Sequence, residues 1–291
     1  VERSALQKTL QKIRKDHGVS IANIALPEQK SYLFQTKVPY SSDDEVVRNA
    51  VAQHIAANVP LPPHEARYDA MRLSRDKDVQ HMAGVAYARR IIAEYHDTVA
   101  ASGIAVRAME SEMHAVSRAL LSGKEHPTCM IVDFGRTTTK ILIIQDGVHP
   151  LFATTLDIGG HALTQAVQKF YGVTEDEAKV IKREKGIIPE EGNVGYLSSV
   201  LTTVSGLRDE VVKRFEYWQD RARTEKTLRP IEMIMLTGGN GSLRGLPEYL
   251  MAQVGVPVRT GNPFVNLAPF NEAIPPIEFE QSLSYSVAIG L

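Results

Sequence analysis

The sequence predicts an α/β protein of two lobes, each a mixed sheet with helices, and three observations support this fold class. Short apolar runs between residues 129 and 155 indicate a β-meander of three consecutive strands, whose first turn is rich in Gly and Thr. An apolar run at 231–236 is followed directly by a glycine-rich loop and a helical pattern. Residues from about 20 to 88 contain strands and a helix of their own, which predicts a small inserted α+β subdomain.

Composition and charge exclude several kinds of protein. The 291-residue chain is 43% hydrophobic and 23% charged, which is ordinary for a globular protein of about two domains. Its 33 basic and 34 acidic residues leave a net charge of −1, so we expect no nucleic-acid partner. A single cysteine, Cys129, excludes an internal disulfide, and its apolar neighbours predict a buried strand residue. No apolar run approaches the ~20 residues that a membrane-spanning helix needs.

The first part of the chain begins with a helical pattern. Leu6, Leu10 and Ile13 recur at helical spacing and Gly18 follows them, which predicts an amphipathic helix. Strands are predicted at 19–26 and 32–38, and the short turn between them predicts that they pair as a hairpin. The other predicted elements are helices at about 41–58, 89–102 and 112–120, and strands at about 68–73, 79–86 and 104–109.

The second part of the chain contains the meander and the glycine loop. The meander strands are predicted at about 130–134, 140–145 and 148–155, a buried strand at 231–236 and an edge strand at 257–259. Helices are predicted at about 157–170, 174–185, 196–224, 246–254 and 282–291. We expect the first lobe at 1–127 and the second at 128–291, with a helical insert at about 161–230 and a closing helix at about 282–291.

The turn after the first meander strand, which reads DFGRTTT, is the first candidate site. Main-chain N–H groups and hydroxyls in such a turn can bind phosphate oxygens, and Asp133 is placed to hold a hydrated Mg²⁺ facing them. The alternative interpretation is a polar hairpin in which Thr was selected for its strand propensity. The candidate residues are Asp133, Gly135, Arg136, Thr137, Thr138 and Thr139.

The loop after the strand at 231–236, which reads TGGNG, is the second candidate site. Glycines after a buried strand let the main chain approach a flat base or a sugar closely. The alternative is a strand-to-helix turn that requires positive φ. No Gly-Lys-Ser/Thr follows, so this is not the phosphate loop of P-loop proteins. The candidate residues are Gly238, Gly239, Asn240 and Gly241.

Taken together, the two loops resemble the actin-like ATPase superfamily, which has a ribonuclease H-like fold. They lie about a hundred residues apart with helices between them, as do a phosphate-binding turn and an adenosine-binding loop in that superfamily. The segment EAKVIK at 177–182 resembles its nucleoside-contacting helix, with Lys182 as the contacting residue. The resemblance implies ATP and Mg²⁺ as ligands in a cleft between two lobes.

Further motifs are ALPE at 25–28, KVP at 37–39, DIGGHALT at 157–164, DEVVKRFEYW at 209–218, GNPF at 261–264 and AIGL at 288–291. These motifs resemble the PilM family, in the FtsA/PilM branch of that superfamily. The resemblance implies a cytoplasmic ATP-binding scaffold of type IV pilus assembly. It also implies that the protein recruits the N-terminal peptide of a PilN-like inner-membrane protein and is attached to the inner membrane through its partners. Self-association is left open. The small unit at about 20–88 would be the extra subdomain of this branch.

Departures from the family pattern bear on catalysis. The Asp-x-Gly loop that binds phosphate in relatives, ahead of all the motifs above, is not present before the first predicted helix. We expect the chain to be part of a longer one, and the alternative is a degenerate site. Thr137 replaces a common glycine, Lys140 replaces an acid, and Lys179 replaces a glutamate that contacts ribose. ATP binding is therefore predicted more firmly than hydrolysis, and any ATPase activity is expected to be weak. Glu112 lies near the position that orients the attacking water in relatives, so it is the candidate catalytic residue; the alternative is a solvated carboxylate on a helix face.

Two other functions stay open from the sequence. An FtsA-like membrane-tethered filament protein needs a C-terminal amphipathic helix, and the residues up to Leu291 show none. A catalytic relative such as a sugar kinase needs a substrate pocket with a carboxylate base, for which no motif stands out.

Overall fold

The computed structural model describes residues 3–122, 127–147, 149–267, 269, 271–272 and 274–291, and the structural statements below concern these residues. The chain divides into two compact units, residues 1–115 with Leu291, and residues 116–290. The division falls inside helix α4 (Glu112–Leu120), earlier in the chain than the expected boundary at 127/128.

The first unit contains a two-stranded parallel sheet, in which β1 (Ile21–Leu26) pairs with β5 (Ala105–Ser111). Helices α1 (Arg3–His17) and α3 (Arg89–Ala100) accompany it, and Ile24, Val99 and Ile104 form its core. The predicted hairpin between the first two strands is wrong. A 3₁₀ turn at Glu28–Lys30 follows β1, and the next strand joins another sheet.

That other sheet is antiparallel and has the order β2-β4-β3. Helix α2 (Asp44–Asn58) packs on one face, and its Val51 and Ile55 contribute to the same buried core as Phe34 and Met82. The Asp43 carboxylate accepts the Glu45 N–H at 2.8 Å and so caps this helix. The sheet begins at residue 31, so the strand predicted from residue 19 lies outside it. The strands are β2 (Ser31–Pro39), β3 (Ala66–Arg75) and β4 (Val79–Ala88).

The second unit is built on a five-stranded sheet with the order β10-β9-β6-β7-β8. The predicted meander forms its antiparallel half, while β9 and β10 run parallel to β6. Cys129 to Val132 are fully buried, as a central strand requires. Val148, predicted as the start of the third meander strand, lies outside the described residues. The strands are β6 (Cys129–Phe134), β7 (Thr139–Gln145), β8 (His149–Leu156), β9 (Met233–Thr237) and β10 (Val258–Thr260).

Helices surround this sheet at the predicted places. A capping box between Thr174 and Glu177 starts α6, and Gly172, at φ 68°, ends α5. The closing helix is interrupted by a 3₁₀ turn at Leu283–Tyr285. No helix in the described ranges is both long and apolar enough to span a membrane. The helices are α5 (Gly160–Tyr171), α6 (Glu175–Lys185), α7 (Val194–Thr224), α8 (Leu246–Val254), α9 (Phe279–Ser282) and α10 (Ser286–Gly290).

Candidate functional site

The second unit contains a cavity of about 520 Å³. It lies where the adjacent parallel strands β6 and β9 end, which is where open α/β sheets bind their ligands. Its walls come from the turn after β6, the first turns of α5, helix α6, the glycine loop after β9, and α9 with the residues that follow it. A cavity of this volume is within the roughly 300–1,000 Å³ that small-molecule sites occupy.

Most of the residues predicted for a nucleotide line this one cavity. The lining includes Asp133, Gly135, Arg136, Lys182, Gly238, Gly239 and Asn240. Four other predicted residues, all in the described part of the chain, do not line it: Thr137, Thr138, Thr139 and Gly241. Whether any of them contacts a nucleotide stays a prediction.

The turn after β6 is packed against the start of α5. The main-chain N–H of Gly160 donates to the Gly135 carbonyl at 3.0 Å, and that of His161 donates to the Arg136 carbonyl at 2.8 Å. The Thr139 hydroxyl donates to the Ile158 carbonyl at 2.6 Å, and this threonine is fully buried. Thr139 therefore holds the turn from inside the fold, and its hydroxyl is engaged there.

The glycine loop brings the main chain against the end of β6. Gly238 has φ +82°, and a Cβ at this position would overlap the Asp133 carboxylate. The requirement for positive φ therefore holds at Gly238. Gly239 does not have positive φ, and a Cβ there would lie 3.0 Å from the Ser284 hydroxyl. The loop thus presents main chain to the cavity, with side-chain bulk excluded at Gly238.

Lys182 reaches into the cavity wall from α6. Its ammonium donates to the Asn240 side-chain oxygen at 2.7 Å, to the Thr164 hydroxyl at 3.1 Å and to the Gly160 carbonyl at 3.2 Å. Burial, and to a lesser degree the charge of Lys179, lowers the pKa of the Lys182 ammonium to about 8.

Charged side chains form a network at the cavity rim. Glu175 accepts from Arg136 at 3.2 Å and from Lys179 at 3.1 Å, and Lys179 also reaches Asp176 at 3.0 Å. Hydrogen bonding and charge from Lys179 hold the pKa of the Glu175 carboxyl below its usual range, with a smaller contribution from Arg136. The network connects the turn after β6 to the first turn of α6.

Sequence interpretation missed several lining residues. Gly160 and Thr164 lie in the DIGGHALT segment, where adjacent glycines before a helix signalled a close approach of the main chain. Glu175 carried no separate signal, because acidic residues in the first turn of a helix are common on protein surfaces. Lys179 was noted only as the replacement of a glutamate that contacts ribose in relatives.

The metal and catalytic candidates lie in different units. Asp133 lines the cavity, whereas Glu112 belongs to the first unit and begins α4. A Glu112 carboxylate oxygen accepts the main-chain N–H of Glu28 at 2.6 Å. Within the described ranges, no group of three or more His, Cys, Asp or Glu side chains is placed to hold a metal ion. A hydrated Mg²⁺ needs only one or two carboxylates when phosphates supply further ligands, so Asp133 fits that role.

A family model described as "Type IV pilus assembly protein PilM" matches residues 1–291, the whole chain. The chain belongs to the PilM family. Solved structures agree with this at the level of fold. A chain of the PilM-PilN type IV pilus biogenesis complex is 19% identical, with a TM-score of 0.77 over 100% of this chain and 84% of that chain.

MreB5 of Spiroplasma citri bound to ADP is similar at 13% identity, with a TM-score of 0.55 over 100% of this chain and 74% of that chain. At these identities the likeness establishes the fold. The predicted actin-like fold is confirmed.

Proposed function

We propose that this member of the PilM family is an ATP-binding scaffold of type IV pilus assembly that recruits a PilN-like inner-membrane protein through a short peptide. The observation that carries the proposal is the match of the family model to residues 1–291. It favours this function over the FtsA-like filament and the sugar-kinase alternatives. In this proposal the protein acts in the cytoplasm and is held at the inner membrane by its partner.

The cavity of the second unit supports nucleotide as the ligand. The volume of about 520 Å³ suits a nucleotide, and glycines at 238 and 239 leave main chain rather than side chains along one wall. We assign adenosine to the glycine loop and the phosphates to Gly135 and Arg136. Asp133 would hold Mg²⁺ through water, and the ion would offset phosphate charge. The proposed second lobe at 128–291 contains all these residues.

In this proposal the function depends on ATP binding, and ATP hydrolysis is secondary. Phosphoryl transfer to water depends chiefly on positioning and on stabilisation of charge. We assign Glu112 the role of orienting a water molecule, as the resemblance to the superfamily implies. In this proposal ATP hydrolysis is slow, and the function depends on the conformation that the protein adopts when nucleotide is bound.

Isothermal titration calorimetry with the N-terminal peptide of the PilN-like protein tests the partner. The purified full-length protein is titrated with this peptide, with and without ATP and Mg²⁺, and a scrambled peptide is the control. We expect saturable binding of the native peptide alone. No binding in any nucleotide state would overturn the scaffold proposal. Sedimentation of the protein with anionic vesicles or phosphorylation of a sugar would support one of the two alternatives.

The variant Gly239→Val tests the ligand of the cavity. A Cβ at Gly239 would lie 3.0 Å from the Ser284 hydroxyl, which has to move slightly, and Gly239 lines the cavity, so the bulk of valine reduces the space for a ligand. We expect loss of ATP binding by calorimetry with the circular dichroism spectrum unchanged. Gly206→Val in α7 is the control, because a Cβ there is 3.9 Å from its nearest neighbour and Gly206 does not line the cavity. If the two variants bind ATP with equal affinity, the assignment of adenosine to the glycine loop is wrong.

A further inference from the structure

Four residues around the cavity form a closed ring of hydrogen bonds, here called the Lys182 ring. The Lys182 ammonium donates to the Asn240 side-chain oxygen at 2.7 Å, and the Asn240 amide nitrogen donates to the Gly135 carbonyl at 2.9 Å. The Gly160 N–H donates to the same Gly135 carbonyl at 3.0 Å, and Lys182 returns to the Gly160 carbonyl at 3.2 Å. The ring joins α6, the glycine loop, the turn after β6 and the start of α5.

The donors and acceptors of this ring balance within the protein. An ammonium has three N–H donors, and Lys182 has three acceptors: Asn240, Gly160 and the Thr164 hydroxyl. The Asn240 amide nitrogen is likewise engaged by the carbonyls of Gly135, at 2.9 Å, and Phe134, at 3.3 Å. A ligand that took a hydrogen bond from Lys182 would have to displace one of these partners.

The residues around the ring are closely packed. A Cβ at Gly160 would overlap the Asn240 side-chain amide, and Asn240 is itself 8% exposed. The Asn240 main-chain N–H adds a bond to the Phe134 carbonyl at 3.0 Å. The asparagine is therefore fixed on both its side-chain and main-chain faces, and it transmits the position of Lys182 to the turn after β6.

We infer that Lys182 is a positioning residue that fixes the turn after β6 and the glycine loop relative to each other before any ligand binds. It acts through Asn240, and this differs from the direct nucleotide contact that the sequence predicts for both residues. The identity of the ligand as ATP rests on the proposed function, whereas the hydrogen bonds of the Lys182 ring are present in the ligand-free protein. Loops that are already ordered lower the entropy lost on binding, so loss of the ring weakens affinity indirectly.

Hydrogen exchange in the ligand-free protein tests the inference. In Lys182→Met we expect the main-chain amides of Gly160, His161 and Asn240 to exchange about 10-fold faster, with ATP affinity lowered about as much. The control is Lys185→Met, on the same helix, where the side chain lies near Tyr196 and does not line the cavity. We expect this control to change neither quantity.

The two failures are distinguishable. Unchanged exchange in Lys182→Met together with lost ATP affinity makes Lys182 a direct ligand and overturns the inference. Faster exchange in a protein whose wild type binds no ATP supports the ring and overturns the proposed ligand instead. Unchanged exchange and unchanged affinity also overturn the inference.

A second variant and a spectroscopic measurement cover the case in which Lys182→Met does not fold. Asn240→Asp keeps an acceptor for Lys182 but cannot donate to the Gly135 carbonyl, so the same amides should again exchange about 10-fold faster. In the wild type, the ¹⁵Nζ resonance of Lys182 should titrate near pH 8, below the ordinary lysine value of 10.5. Titration of Lys182 at the ordinary value would place its ammonium in water and overturn the inference. The charged groups that face the same cavity are Asp133, Arg136, His161, Glu175, Lys179, Arg183 and Glu280.

Discussion

The ammonium group of Lys182 lies 2.7 Å from the side-chain oxygen of Asn240, and both residues are held inside the wall of the cavity. The bond joins the last turn of α6 to the glycine loop, and the two residues are 58 positions apart in the chain. Because Asn240 also bonds to Gly135, a single amide couples the two loops that the sequence predicts as parts of a nucleotide site.

Replacement of Asn240 should destabilise the protein more than replacement of an exposed asparagine. Asn240→Ala leaves the Gly135 carbonyl without its side-chain donor and removes the closest acceptor of Lys182, so we expect a loss of about 1–3 kcal/mol in the free energy of unfolding. Urea denaturation measures it. The exposed Asn271 provides the control, for which Asn271→Ala should change stability by less than about 0.5 kcal/mol. Equal effects at the two positions would contradict the central role of Asn240.

The burial of Lys182 should make stability depend on pH with a defined sign. The pKa of this ammonium in the folded protein is about 8, below the ordinary value of 10.5, so between these values the unfolded chain binds more protons. Stability contributed by this group therefore rises with pH in that range.

We expect the unfolding free energy of the wild type to increase relative to Lys182→Met by roughly 2 kcal/mol between about pH 7 and pH 9.5. Denaturant unfolding of both proteins across this range gives the difference, and comparing the two proteins removes the contribution of other titrating groups. A constant difference would show that Lys182 is not buried as an ammonium.

In the proposed function, the carboxylate of Glu175 competes with the phosphates of the ligand for Arg136. It lies 3.2 Å from the Arg136 guanidinium, and both side chains line the cavity. Glu175→Gln should release Arg136 and raise the affinity for ADP about 3- to 10-fold, while adenosine affinity stays unchanged because it has no phosphate.

The neighbouring residue supplies the matched control for this measurement. Asp176→Asn removes the same charge but contacts Lys179 rather than Arg136. An equal gain in both variants by calorimetry would mean that the general field around the cavity, and not the contact with Arg136, controls affinity.

Two glycines at helical positions should respond to alanine in opposite directions. A Cβ at Gly160 would overlap the Asn240 amide, so Gly160→Ala should lower the unfolding free energy by about 1–3 kcal/mol. Gly206 lies inside α7 with its nearest neighbour at 3.9 Å, so Gly206→Ala should raise it by up to about 1 kcal/mol. Thermal or urea unfolding decides the signs, and a stabilised Gly160→Ala would show that the ring has room to move.

Strand pairing shows where prediction from the sequence reaches its limit in this fold. The meander at β6–β8 was predictable, because consecutive strands with short turns pair with each other by default. The pairing of β1 with β5 joins segments about eighty residues apart, and no local pattern in either strand encodes that partner. The hairpin prediction failed for this reason.

The sequence by itself determined the α/β class, the strand–turn and strand–glycine patterns at Asp133 and Gly238, and the family to which the whole chain belongs. These depend on periodicity and on residue types at fixed short spacing, which are local properties. Only the tertiary structure decided that Lys182 is satisfied by Asn240, Thr164 and Gly160, and that Thr139 uses its hydroxyl inside the fold. The physical reason is that a hydrogen-bonding group takes whichever partner the folded chain brings within about 3 Å, and those partners come from elements that only packing brings together.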